Sequence, residues 1–137
     1  MPGPKLVAID DEVEFTKTID QFFSARGFEV HVALTGTSGV ELVDYHQPDV
    51  VLVDLKLPGM DGDEVLAHIQ RTHPEIKVIV ITAYNDGGKT RERLLSMGAF
   101  AHSTSRSPRF GTWRMRSSGR WPKRLKNRNV PNLDVPS

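Results

Sequence analysis

The chain has 137 residues, with 18 Lys and Arg against 17 Asp and Glu, a hydrophobic fraction of 38% and no cysteine. That length suits one domain with a tail rather than a multidomain enzyme, and the lack of cysteine excludes disulfide frameworks, zinc–thiolate sites and thiol catalysis. The net charge of +1 conceals a split: residues 1–102 carry nine Lys and Arg against sixteen Asp and Glu, net −7, whereas residues 103–137 carry nine against the single Asp134, net +8.

No apolar run approaches the roughly 20 residues of a membrane span. The apolar stretch that follows Met1-Pro2-Gly3-Pro4-Lys5 is too short for a signal peptide, so a soluble cytoplasmic protein without a membrane partner is expected. Lys5 to Ile9 reads as a strand buried on both faces, stopped by Asp10-Asp11-Glu12. Phe15, Ile19, Phe22 and Phe23 recur at helical spacing over residues 13–26, and Gly27 is a C-terminal stop. Phe28 to Ala33 alternates and predicts a strand with one wet side. A helix over 37–46 turns Val40 and Val43 inward. Asp49 to Asp54 is a second strongly apolar strand, followed by a loop punctuated by Pro58, Gly59 and Gly62. A helix over 63–72 buries Val65, Leu66 and Ile69; Lys77 to Thr82 is another buried strand; a helix from Asp86 to Met97 turns Leu94 and Leu95 inward; and Ala99 to His102 opens a fifth strand.

This alternation of strand and helix implies an α/β fold, a doubly wound five-stranded parallel sheet with helices on both faces. In such sheets ligands bind beyond the carboxyl ends of the strands. Asp10 and Asp11, Asp54, and Thr82 all fall at those ends. Converging carboxylates repel one another unless a hard cation neutralises them, and an oxygen-only donor set suits Mg2+ or Mn2+. A carboxylate in that setting can also attack phosphorus to form an acyl phosphate. Asp61 and Asp63 are expected to shape the loop and cap the next helix. His31, His46, His68 and His73 have no ligand spacing and read as surface residues.

Val51-Leu-Val-Asp54-Leu-Lys-Leu-Pro58-Gly59-Met60-Asp61-Gly62 resembles the phosphoacceptor strand and loop of two-component response regulator receiver domains. Asp10-Asp11-Glu12, Thr82-Ala83 and Gly98-Ala99 stand at the matching places, so the resemblance covers residues 5–102. It implies the flavodoxin-like strand order 2-1-3-4-5. It also implies that Asp54 is the phosphoacceptor and Thr82 the switch hydroxyl. Asp11, Asp54 and the Lys56 backbone carbonyl would ligate Mg2+ directly, with Asp10 acting through water. The implied partners are a sensor histidine kinase and an output protein reached by contact. Two departures stand out. The family's switch aromatic falls on His102, and its Lys-Pro pair falls on Ser105 and Arg106. A receiver without that Lys could act only as a protein-interaction module, which is the alternative reading. A phosphohydrolase with an aspartyl nucleophile ranks below both, because it wants an acid where Lys56 stands.

After residue 102 the amphipathic periodicity ends and the charge reverses. The expectation is a receiver domain over 1–102 and a basic, weakly ordered tail over 103–137, with the last helix missing or aberrant. A frameshift accounts for these features together. Deleting one C from CAC CTC GAC AAG CCG TTC, followed by a codon ending in CC, turns His-Leu-Asp-Lys-Pro-Phe into His-Ser-Thr-Ser-Arg-Ser-Pro, which is the sequence of His102 to Pro108. A genuine basic extension is the alternative. Such a tail attracts nucleic acid non-specifically, but no helix-turn-helix pattern accompanies it, so a DNA-reading role is not expected. A lost last helix would leave the sheet uncovered near Val7, Val53 and Val80 and favour self-association.

Overall fold

The computed structural model describes residues 3–81, 89–99, 101–103 and 114–115. Its elements run β1 (Lys5–Ile9), α1 (Val13–Ser24), β2 (Glu29–Ala33), α2 (Gly36–His46), β3 (Val50–Asp54), α3 (Gly62–Thr72), β4 (Lys77–Ile81), α4 (Lys89–Ser96), β5 (Ala101–Ser103) and β6 (Arg114–Met115). The first four strands lie parallel in the order β2-β1-β3-β4, as the resemblance implied for them.

Side-chain parity sorts each strand onto two cores. Leu6 and Ala8 of β1, Leu52 of β3 and Ile79 of β4 pack with Phe15, Ile19, Phe22 and Phe23 of α1. Val7 and Ile9, Val51 and Val53, and Val78 and Val80 point the other way, onto Val43 of α2, Val65, Leu66 and Ile69 of α3, and Leu94 of α4. Each of these aliphatic side chains, once buried, contributes about 1.5–3 kcal/mol. Val7, Val53 and Val80 are each 0% exposed, so the expectation that they would lose cover is corrected. They belong to the face served by α2, α3 and α4.

The helix ends explain where the chain turns. Gly27 takes φ 91°, which lets the Phe28 amide return to the Phe23 carbonyl at 3.1 Å. Phe23 then stands edge-on between Phe22 and Phe28, with ring centroids at 5.0 and 5.2 Å. The Thr35 hydroxyl caps α2 by accepting the Ser38 amide at 3.1 Å. A Cβ on Gly39 would strike the Ile9 side chain, so α2 lies against β1 about as closely as a backbone can. Gln47, left-handed at φ 47°, ends α2 directly after His46.

The sheet continues past β4. Ala101–Ser103 pairs parallel to β4, and Arg114–Met115 pairs antiparallel to β5 through Ala101 with Met115 and His102 with Arg114. Periodicity predicted no strand after residue 102. Pairing at 114–115 requires only an open neighbouring backbone, not alternating side chains, which is why the pattern did not reveal it. Residues 104–113 and 116–137, where the remaining expectations about the tail and last helix fall, lie outside the described residues. No helix among the described residues is long and apolar enough to cross a membrane.

Candidate functional site

β1 and β3 are neighbours in parallel register, with Ile9 opposite Val53. The next residue on each is an aspartate, so the register alone sets Asp10 beside Asp54. Asp11 follows directly, and carboxylate oxygens of Asp10, Asp11 and Asp54 lie within 4.8 Å of one another. Asp10 is only 2% exposed, Asp54 is half-buried and Asp11 faces solvent. The Asp10 carboxylate accepts the Glu12 amide at 2.8 Å, which fixes it at the start of α1. At an effective dielectric near 20, each such pair repels by on the order of 3 kcal/mol.

The loop after β3 is pinned beside this cluster. The Lys56 amide points at Asp54 Oδ1 over 3.3 Å, the Leu55 amide donates to the Ile81 carbonyl at 3.0 Å and the Gly62 amide to the Leu55 carbonyl at 2.8 Å. A Cβ on Gly62 would collide with the Asp54 carbonyl oxygen. Glycine is therefore required for α3 to start against the end of β3. Asp11, Lys56, Pro58 and Asp61 line the open groove above. The donor set is oxygen-only, one member is buried and one is open to solvent. Those properties fit a hard divalent ion that keeps part of its hydration shell.

The other sequence-derived candidates divide. Lys56 lies beside the cluster, its amide toward Asp54 and its residue lining the groove. Thr82 lies outside the described residues. Asp61 occupies the N-cap position of α3 but makes no side-chain capping bond, contrary to expectation; its carbonyl accepts the Val65 amide at 3.0 Å. Asp63 instead meets Arg93 of α4 at 3.5 Å.

Four histidines expected to be plain surface residues are brought into two clusters. His68 near the end of α3 and His73 at its C-cap both place Nε2 against Asp44 Oδ1 of α2, at 3.2 and 3.0 Å. Burial alone would raise the Asp44 carboxyl, but the hydrogen bonds from His68 and His73 outweigh it and hold the group below its ordinary value. On β2, His31 meets Glu29 at 2.7 Å, and its ring stacks on His46 at 3.7 Å between centroids and 15° between planes. Burial, followed by the charges of His31 and Lys5, lowers His46 from its ordinary value. Glu29 is lowered chiefly by the hydrogen bond from His31. One signal was present in the sequence: Glu29 and His31 are two apart on a strand and so share a face. The partner residues come from another element, and spacing could not supply them.

Residues 6–103 match the family model for the response regulator receiver domain. The chain is 31% identical over 102 residues to Sporulation initiation phosphotransferase F of Bacillus subtilis (strain 168), covering 74% of this chain and 82% of that protein. It is 33% identical over 96 residues to Regulatory protein AtoC of Escherichia coli (strain K12), covering 70% of this chain but only 21% of that longer protein. Among solved structures, a CheY-like response regulator receiver domain protein from Methanospirillum hungatei JF-1 superposes with a TM-score of 0.68 at 27% identity, over 73% of this chain and 79% of that one. With its acidic strand ends, its parallel sheet and a family match spanning most of its length, the chain belongs to the response regulator receiver domain family.

Proposed function

We propose that this chain is a phosphorylation-controlled switch of a two-component system, accepting a phosphoryl group on Asp54 from a sensor histidine kinase in the cytoplasm and signalling to an output protein by contact. The observation that carries this reading is the convergence of Asp10, Asp11 and Asp54 at the carboxyl ends of β1 and β3. In the transfer, an Asp54 carboxylate oxygen attacks the phosphorus of a phosphohistidine. The O–P bond forms as the N–P bond breaks, and the departing imidazole takes its proton from water. Asp10, Asp11, Asp54 and the Lys56 carbonyl would hold Mg2+ or Mn2+. When bound, such an ion offsets the acidic repulsion and the charge on the phosphoryl oxygens. The Lys56 amide beside Asp54 is placed to steady the same oxygens, and the Thr82 hydroxyl is assigned the role of reading the modified state. The protein accepts one phosphoryl group per cycle and is not a turnover enzyme. The interaction-only alternative is not favoured, because the acidic cluster such a module could dispense with is intact. We further assign residues 103–137 as a basic tail that follows the receiver pattern, contributing Ser103 to β5 and Arg114–Met115 to β6 and arising from a frameshift near codon 102; the gene's reading frame in related chains tests this.

Incubation with acetyl phosphate and Mg2+ should add one phosphoryl group, mapped to Asp54 by mass spectrometry. Asp54→Asn should abolish labelling with an unchanged circular dichroism spectrum. Absence of label on the folded wild type, or equal label on Asp54→Asn, would reject the assignment.

A further inference from the structure

β2 is an outer strand of the sheet, paired only to β1 among the first four strands. Glu29 and His31 project from it on the same face, opposite Lys5 and Val7 of β1. α2 crosses that face and delivers His46 as its last residue. One ligand atom from each of Glu29, His31 and His46 lies within 4.8 Å of the others, and the Glu29–His31 pair is already at 2.7 Å. Two ligand atoms held at about 2.0–2.2 Å from one zinc ion are about 3.3–3.6 Å apart at tetrahedral angles, so the Glu29–His31 contact opens slightly and one imidazole swings out of the 3.7 Å stack to turn both nitrogens onto the ion. Gly39 packed on Ile9 and left-handed Gln47 fix the position of the α2 terminus. The partial negative charge at that terminus also favours a cation.

We propose that Glu29, His31 and His46 form a second metal site, selective for a borderline divalent ion such as Zn2+ and distinct from the oxygen-only cluster at Asp54. Two imidazoles and one carboxylate are the donors that such ions prefer over Mg2+. Three protein ligands leave a coordination position for water. Binding replaces the His31–Glu29 hydrogen bond with two metal bonds; the His31 Nε2 proton is released to solvent and the ring's remaining proton sits on Nδ1. The site lies at the start of β1 and β2, whereas Asp10 and Asp54 follow the strand ends, so both clusters can be filled at once. Lys5 opposes the ion, since its charge acts on both Glu29 and His46.

The test uses ZnCl2 with the full chain in excess Mg2+, followed by calorimetry and by imidazole nitrogen resonances. One Zn2+ per chain should bind, shifting His31 and His46 while leaving His68 and His73 unmoved. His31→Ala and His46→Ala should each weaken binding at least tenfold, with circular dichroism confirming the fold. Glu29→Gln should weaken it by about tenfold, Lys5→Ala should tighten it severalfold, and His68→Ala should change nothing. No saturable binding, binding that survives the His31→Ala/His46→Ala double variant, or shifts confined to His68, His73 or amides around Asp54 would overturn the proposal.

Discussion

The acidic cluster and the histidine clusters are built on one sheet by different means. Asp10 and Asp54 are adjacent because two neighbouring strands run in register and each ends in an aspartate, so their placement is a property of the sheet. His31 and His46, or His68, His73 and Asp44, meet only because α2 sits at one particular height and angle over β2 and α3. The first arrangement tolerates small helix shifts, and the second does not. The first is also a hard, oxygen-only environment with a buried member, whereas the second offers imidazole at the surface.

Leu66→Ala should break both regions together. Leu66 is fully buried under α3, and truncation there should cost about 2–5 kcal/mol, read as a lower denaturant midpoint. If Mg2+ stabilisation survives while the His73–Asp44 contact is lost, the two regions are less coupled than the shared core implies. Mg2+ itself should separate them. At a hundred times its dissociation constant it should add about 2.7 kcal/mol by linkage. Asp11→Asn should abolish that increment, and His68→Ala should leave it intact. A melting temperature indifferent to Mg2+ in the wild type would remove the acidic half of the comparison.

The physics behind these differences also set what could be read beforehand. The stripe of Phe15, Ile19, Phe22 and Phe23, the buried run Val50 to Val53 and the stop at Gly27 are local patterns, and β1 to β5 with their helices lie within a few residues of their expected places. The three aspartates were legible for the same reason, since a strand end is a local feature. The order of the strands rested on resemblance, because nothing local distinguishes β3 from β4 as the neighbour of β1. The histidines read as surface residues and lie there, but their contacts were not foreseen, since Asp44 and His73 meet across 29 residues. The face needing cover was misassigned at Val7, Val53 and Val80. Alternation shows that a strand has two faces, but not which helices pack on each.

Gly62→Ala probes the rigid side of the comparison on a smaller scale. The added methyl meets the Asp54 carbonyl, and relief by backbone shift should cost about 1–3 kcal/mol and weaken Mg2+ binding as the loop retreats. Unchanged stability and Mg2+ affinity would mean that the loop is looser than its hydrogen bonds suggest. The smallest effect belongs to the adaptable side. Asp44 has a folded value below its ordinary 3.8, so its contribution is complete above that value and is lost as pH falls through the lower, folded one. Being half-exposed, it should contribute no more than about 1 kcal/mol. Wild type and Asp44→Asn should therefore differ most near neutrality and converge in strong acid. A gap that widens on acidification would reverse the sign of the coupling.

β1 has a consequence for biosynthesis. It is made before every other strand of the sheet but occupies the interior of the finished sheet, bonded to β2 on one side and β3 on the other. Its amide at Lys5 meets the Asp49 carboxylate 44 residues downstream. At typical translation speeds of about 5–20 residues per second, that partner arrives on the order of 2–9 seconds later. Until then this apolar strand has one unprotected flank. The nascent chain is thus most vulnerable to misassociation before any residue of β3 has been made.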